Sequence, residues 1–450
     1  CLSLLGKIAP SQTPSTRTQP MPQLIPRVKG TRDFYPEDWA YQKWLSTKFI
    51  GVGNLFGYRE YEGTILEYMD LYLGKSSEEI VTQQTFSLSD RDNNQLVMRP
   101  ELTPTLARMV AQKEGELVFP IRWQSYGQFF RYERPQRGRG RAFFQWNIDA
   151  LGSDSFLADA EIITVACTLF EHLGLSPEHA TIKVNDRNGL ETLLIQSVGL
   201  DAEDVRPLLG AIDRMDKMPE EKFRNHLSQD LNLSSDQIDA LYEILGTGNL
   251  SFSPWLERIF EQLDKKGVAK FVEADLKIVR GFDYYTSTVF EAWAKTSLRR
   301  ALFGGGRYDN LTRQVGGKQQ VPGVGFAVGD MAITELLKEI NLYPDLGSPG
   351  ARVLVTVFAD DLLSLSASFA NKLRQANIAT EMSLNPGQRL DRQFKYADRQ
   401  NIPFAAVIGP DEASAGTVVL KDLKNRVQQS FSQDNLSTIA AALESGISQT

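Results

Sequence analysis

Cysteine is nearly absent from the 450 residues: Cys1 and Cys167 are the whole set. Two thiols cannot build a disulfide framework or a cysteine-rich zinc site, so a reducing compartment, the cytoplasm, is expected. Histidine is as scarce, with His172, His179 and His226 alone and none in a HExxH or Cys/His spacing, so metal-centred catalysis is not expected. No apolar run approaches the ~18 residues that cross a bilayer, and no membrane partner is expected. Nor is there an excess of positive charge: 49 Lys and Arg face 56 Asp and Glu, for a net charge of -7. Any polyanion must therefore be met by a local cluster. What is present is ordinary globular material, 42% hydrophobic and 23% charged with 34 Gly and 20 Pro, which excludes collagen-like and wholly disordered chains. The length suggests about two to four domains.

Along the chain, the Ser-, Thr- and Pro-rich residues 1–26 are expected to form a disordered tail. Apolar residues at helical spacing predict a helix over 36–49, stopped by Gly51 and Gly53. An extended stretch over 95–99 precedes a helix opening at Thr103 and Pro104. Residues 121–150 read as two strands joined by a basic loop, and 157–173 as a buried helix. Between about 186 and 274 the pattern becomes one of short amphipathic helices, a helical insertion, before strands and glycine-rich turns return over 276–330. The stretch NLYPDLGSPG (341–350) has the composition of a linker. Beyond it, apolar runs at 353–358, 378–382, 404–408 and 418–420 alternate with helical segments at 362–375 and 390–399, which predicts a small α/β domain with a mainly parallel sheet.

The densest charge lies in FRYERPQRGRGR, where Arg131, Arg134, Arg137, Arg139 and Arg141 face Glu133 alone. All five cations are arginine, whose planar fork matches phosphate, and Gly138 and Gly140 permit close backbone approach. A solvated basic loop is the bland alternative. The next strand alternates: Phe144, Trp146, Ile148 and Ala150 on one face, Gln145, Asn147 and Asp149 on the other, a candidate pocket floor. In KIVRGFDYYTSTVFEAW, Arg280 and Tyr285 face one cavity only if Gly281 marks a turn or bulge, because Arg280 otherwise shares strand parity with Tyr284. Glu101 and Thr103 stand where a strand gives way to a helix, with Glu101 available to an ammonium group. Together these residues suggest phosphate chemistry without a histidine base. A carboxylate already attacks the α-phosphate of ATP when it is positioned in line, and arginines with Mg2+ stabilise the charge.

The segments KGTRDFYPED, MRPELTP, FRYERPQRGRGRAFFQWNID, VRGFDYYTSTVFE, GGGRYDNL and PGVGFAVG occur in the order seen in histidyl-tRNA synthetases, which the chain resembles over roughly residues 27–430. VLVTVF, KYADRQNIPFAAVIG and VVLKDL resemble that family's anticodon-binding domain. The resemblance implies an α+β catalytic core over 27–340 with a six- to seven-stranded antiparallel class II sheet and the helical insertion, a linker at 341–350, an anticodon-binding α/β domain over 351–450, and a homodimer. By matched position it implies that Glu101, Thr103 and Gln145 bind the α-amino group of L-histidine. Asp149 and Tyr285, beside Tyr284, hold the imidazole, and Tyr308 closes the pocket. Arg131 contacts the α-phosphate and the carboxylate, Arg280 stabilises the charge developing at the α-phosphate, and Arg139 meets the outer phosphates of ATP. Arg134 and Gln136 approach the acceptor end of tRNA(His).

Two positions depart from the pattern. Class II enzymes usually carry an arginine on the motif 3 helix, where this chain has Ala332 and no basic residue before Lys338. Either another arginine, with Arg307 as the candidate ATP ligand, takes its place, or ATP binding is weaker. Leu102 stands where Gly is common between Glu101 and Thr103. The expected activity is ATP-dependent attachment of histidine to tRNA(His) through a histidyl-adenylate. The rival is a catalytically inactive paralogue serving as a regulatory subunit of ATP phosphoribosyltransferase, against which stand the intact histidine motifs and the C-terminal domain. A synthetase for an aliphatic amino acid would leave Asp149 and Tyr285 unsatisfied.

Overall fold

The structure, a computed structural model, describes residues 24–74, 83–215, 218–246, 250–279, 284–298, 300–347 and 350–445. Most of the expected N-terminal tail and Arg280 therefore lie outside the described residues. The first helix, Pro36–Leu55, opens with Pro36 in its first turn and with Glu37 and Asp38 beside the positive end of its dipole. It runs through Gly51 and Gly53 rather than stopping before them. A Cβ on Gly53 would stand 2.1 Å from the Gln124 side chain, so this glycine marks close helix–sheet packing and not a helix end.

Sixteen strands follow along the described chain: β1 (Arg59–Glu60), β2 (Leu66–Tyr68), β3 (Phe86–Ser89), β4 (Gln95–Met98), β5 (Ile121–Phe130), β6 (Ala142–Leu151), β7 (Ala180–Asp186), β8 (Val272–Ala274), β9 (Thr288–Ala294), β10 (Ala301–Arg307), β11 (Gly323–Gly329), β12 (Val353–Val355), β13 (Thr380–Met382), β14 (Phe404–Val407), β15 (Thr417–Asp422) and β16 (Val427–Ser432). The main sheet has eight strands in the order β1-β5-β6-β11-β10-β9-β7-β8. Its interior is antiparallel, and the two short edge strands β1 and β8 extend it by parallel pairing. One face is covered by Pro36–Leu55, Phe156–His172, Pro254–Lys265 and Asp330–Glu339. Trp146, Ile148 and Ala150 of β6 point into that core with Leu45, Phe49, Ile163 and Leu336. The alternate β6 residues Gln145 and Asp149 then face the opposite side.

Four helices, Arg187–Val198, Ala202–Ile212, Glu220–Gln229 and Ser235–Gly246, close around a core of their own that includes Leu190, Leu208, Phe223 and Leu241. The next helix, Pro254–Lys265, departs from the insertion expected over 186–274. Its apolar stripe of Leu256, Ile259 and Leu263 packs into the main core, against Phe156–His172. A second sheet, β2-β4-β3, is antiparallel and stands apart from the first.

After residue 350 a five-stranded sheet has the order β13-β12-β14-β15-β16. β12 pairs in parallel with β13 and β14, while β15 and β16 are antiparallel. The expectation of a mainly parallel sheet is thus corrected to a mixed one. β16 reads VQQSFS and is largely exposed; an edge strand needs no apolar alternation, which is why the sequence does not reveal it. The helices Leu363–Gln375 and Leu390–Arg399 occupy the segments read as helical.

Candidate active site

A cavity of about 230 Å³ opens on the face of the main sheet opposite the main core, over β6, β10 and β11, with the start of the helix Thr103–Lys113 at its side. Its lining brings together Glu101, Thr103, Arg131, Arg139, Gln145, Asp149, Tyr284, Tyr285 and Tyr308, residues more than 200 positions apart in the chain.

The floor is β6. Asp149 pairs in register with Gly325 of β11, and a Cβ on Gly325 would lie 2.0 Å from the Asp149 carboxylate. Only glycine leaves room for that side chain. The Tyr308 hydroxyl donates to Asp149 Oδ1 at 2.6 Å. Burial lifts the Asp149 carboxyl from an ordinary 3.8 to about 7, with the Tyr308 bond pulling the other way. Tyr308 therefore orients Asp149 as well as walling the pocket. Burial likewise pushes the Tyr308 hydroxyl well above the usual range, so it stays a donor. Gln145 donates to Asn147 Oδ1 at 3.0 Å, which fixes the amide from below.

At one side, the Tyr284 hydroxyl donates to Glu101 Oε2 at 2.9 Å, and both groups are buried. Tyr284 and Tyr285 precede β9 and are not part of a strand, so strand parity does not decide which way they point. Their rings meet edge-on at 4.9 Å between centroids. Tyr285 is admitted by Gly306, whose Cβ would lie 2.8 Å from its ring. The helix Thr103–Lys113 begins at Thr103 with Leu102 in the capping position and no side-chain cap, so Thr103 is not spent on capping. Arg99, from the same motif, is fully buried; it donates to the carbonyls of Gln128 and Gly63, pairs with Glu62 and lies over the Phe129 ring. Its role is to hold the backbone.

The basic loop between β5 and β6 divides its five arginines. Arg131 donates to the Pro100 carbonyl at 2.9 Å, stands 3.8 Å from Glu133 and lies over the Phe143 ring. Arg139 stands 3.5 Å from the same Glu133. These two reach the cavity. Arg137 instead binds Glu335 at 2.6 Å and Glu339 at 3.5 Å on the helix Asp330–Glu339, pinning the loop. Arg141 donates to the Glu133 carbonyl and lies 3.8 Å over the Tyr132 ring. Arg134 is exposed and outside the cavity lining, and Gln136 exchanges backbone bonds with Arg139 at the turn and borders a neighbouring surface hollow.

Arg307, expected as the ATP ligand replacing a motif 3 arginine, is corrected. Gly306 faces Tyr285, and strand alternation sends Arg307 to the helix-covered side. There its Nε lies 3.1 Å from both Asp159 oxygens, its Nη2 also bonds Asp159, and its Nη1 reaches Asp309 at 3.1 Å and the Ser153 carbonyl at 2.9 Å. It lines no part of the cavity. Conversely, Arg300 and Ala332 do line it. Nothing in the local sequence around Arg300 marks it; only the β9–β10 turn, where the Ala294 amide bonds the Arg300 carbonyl at 3.2 Å, carries it there.

A family model described as "Histidyl-tRNA synthetase" matches residues 30–333, and one described as "Anticodon binding domain" matches residues 352–443. The histidine–tRNA ligase of Leptospira biflexa is 32% identical over 415 residues, covering 90% of this chain and 94% of that protein. The chloroplastic/mitochondrial histidine–tRNA ligase of Arabidopsis thaliana is 35% identical over 411 residues, covering 89% and 83%. In fold, the chain is similar to the crystal structure of a Nostoc histidyl-tRNA synthetase, with a TM-score of 0.76 at 23% identity over 93% of this chain and 99% of that one. It is also similar to a Bacillus halodurans protein described as an ATP phosphoribosyltransferase regulatory subunit/histidyl-tRNA synthetase, with a TM-score of 0.67 at 24% identity over 83% and 97%. Because the likeness runs through both matched regions and not only through short motifs, the chain belongs to the histidyl-tRNA synthetase family.

Proposed function

We propose that the protein joins L-histidine to tRNA(His) at the expense of ATP, through a histidyl-adenylate. The observation that carries this reading is the buried Asp149–Tyr308 pair at the floor of a cavity whose mouth holds Arg131 and Arg139. A site built around a buried polar pair rejects a substrate that cannot bond it, often by factors of about 10⁴. Imidazole, with one N–H donor and one acceptor, suits Asp149 and the nearby hydroxyl of Tyr285. Glu101, Thr103 and Gln145 would take the α-ammonium group, leaving the carboxylate toward Arg131.

In the first step a carboxylate oxygen of histidine attacks the α-phosphorus of ATP. The bond to the β-phosphate breaks, and pyrophosphate leaves. No base is required, because the nucleophile is already an anion; the enzyme's part is alignment and fixed positive charge. Arg131 would serve the α-phosphate and Arg139 the outer phosphates, with Arg280 as the further cation. The ribose at the tRNA 3′ end then accepts the histidyl group, and AMP departs. Arg134 and Gln136, exposed on the loop at the cavity's rim, would meet that end of the tRNA. Mg2+ would enter on the phosphates: the described residues gather no three carboxylate, imidazole or thiol groups that would hold it, and no step here depends on a protein-held ion.

The chain would work as a homodimer. On the small sheet, Leu66, Met98 and Phe86 form one cross-strand row and Tyr68, Leu96 and Leu88 the next. Of these, Leu66, Tyr68 and Leu88 are strongly exposed, an apolar face that a second copy would cover. A cytoplasmic setting is supported by the shortage of cysteine, with Cys167 buried as a free thiol; among the described residues no helix is long and apolar enough to cross a membrane.

Histidine-dependent exchange between ATP and pyrophosphate tests the reading. Exchange that requires histidine and fails with other amino acids is expected. Its absence, together with stimulation of an ATP phosphoribosyltransferase, would favour the regulatory-subunit reading.

A further inference from the structure

Among the described residues three arginines line the cavity, and two of them have a carboxylate within 4 Å. Arg131 and Arg139 share Glu133. Arg300 has no carboxylate within 4 Å among the described residues; its Nη1 donates to the Arg137 carbonyl at 2.6 Å. Burial and then the repulsion of Arg139 lower its pKa, with only Glu133 opposing. A half-buried cation set beside another cation carries a cost that an arriving anion removes.

Its place in the site is defined by Gly138. The point where a Cβ would stand on Gly138 is 2.9 Å from Arg300 Nη1 and 3.7 Å from the Ala332 Cα. The guanidinium from the β9–β10 turn therefore fills the space beside the helix Asp330–Glu339, where Ala332 itself offers no charge. Gly138 adopts a φ of +70°, so the glycine leaves both the turn and this space open.

We propose that Arg300 is a nucleotide-binding residue that grips the outer phosphates of ATP, and the leaving pyrophosphate, together with Arg139. The inference rests on the synthetase reading above. The outer phosphates are the most highly charged part of ATP, and at the cavity mouth Arg300 stands close enough to Arg139 to be repelled by it, with Glu133 the carboxylate that Arg131 and Arg139 already share. Arginine suits the task because its fork spans two phosphate oxygens.

The test uses the full chain in the histidine-dependent exchange assay, with melting temperature read on the same samples. Arg300→Met removes the charge, Arg300→Gln keeps a donor for the Arg137 carbonyl without charge, and Arg300→Lys keeps a charge without the fork. The KM values for ATP and for pyrophosphate should each rise about tenfold or more in the Met and Gln variants, the scale of a lost charge-assisted bond. Lys should recover part of the loss, while the KM for histidine stays within about twofold. Unaltered KM values for ATP and pyrophosphate in Arg300→Gln would overturn the inference, since charge would then be irrelevant. So would equal rises for ATP and histidine accompanied by a fall in melting temperature, which would assign Arg300 to holding the loop. A wild-type protein without exchange would instead remove the synthetase reading on which the inference stands.

Discussion

Asp149 is proposed to bind substrate at a cost to folding, and the two effects separate in one substitution. Burial raises its carboxyl to about 7 from an ordinary 3.8. A group whose folded pKa is raised is at no disadvantage while protonated; below about pH 4 the burial costs nothing, and between about pH 4 and 7 stability falls as the folded state must give up a proton that it holds more tightly than the unfolded chain does. At about 1.4 kcal/mol per pH unit the penalty reaches about 4 kcal/mol above pH 7. Water entering the open cavity reduces it to about 2–4 kcal/mol. Asn is nearly isosteric, can still accept the Tyr308 hydroxyl, and carries no charge. Asp149→Asn should therefore stabilise the free enzyme at pH 8 by about 2–4 kcal/mol, and hardly at all at pH 4. Histidine binding should weaken by about 1.5–3 kcal/mol, since a charge-assisted bond to the imidazole is lost, with ATP affinity little changed. Urea unfolding followed by tryptophan fluorescence suits the purpose, because all six tryptophans lie at or before Trp293 and report only on the N-terminal part of the chain. A variant less stable than wild type at pH 8 would refute the burial argument, and equal losses for histidine and ATP would refute the imidazole assignment.

Arg307→Met should destabilise the fold by about 3–5 kcal/mol, because it leaves the fully buried Asp159 without its partner; exchange kinetics at low temperature should keep the ATP KM of wild type, and a raised ATP KM in a stable variant would restore Arg307 to the nucleotide site. For Arg280, which lies outside the described residues, Arg280→Ala should slow single-turnover adenylate formation by about 10² with less effect on binding, and Lys should rescue only partly. An unchanged rate would remove Arg280 from the chemistry. Truncation after Leu346 should spare adenylation while crippling tRNA charging, and a shortened chain that charges tRNA as well as the full one would contradict a tRNA-binding role for the C-terminal region.

Much of the fold and part of the site were legible in the residues themselves. The alternation of β6 announces a buried face and a polar face because the strand period is 2 and the two surroundings differ, so Trp146 and Asp149 separate on sight. Glycine and proline at 341–350 mark a boundary between two patterns, and the helices after it fall where their apolar spacing puts them. The motifs also identify the family, since order and spacing survive where most residues differ.

What the sequence by itself cannot assign is direction and charge state, which depend on neighbours distant in the chain. Gly53 reads as a helix stop until Gln124 is packed against it. Five arginines in one loop look equivalent, yet Glu335 and Glu339 on a distant helix neutralise Arg137, while Arg131 and Arg139 are left toward the cavity. Arg307, inside a recognisable motif, is turned to Asp159 by the alternation of β10, and Arg300, in no motif at all, is delivered to the cavity by a strand turn. The pKa of Asp149 is likewise a property of the enclosing fold. Periodicity and composition are local and survive in a list of residues, whereas desolvation, ion pairing and the facing of side chains come into being only when segments hundreds of residues apart are packed together.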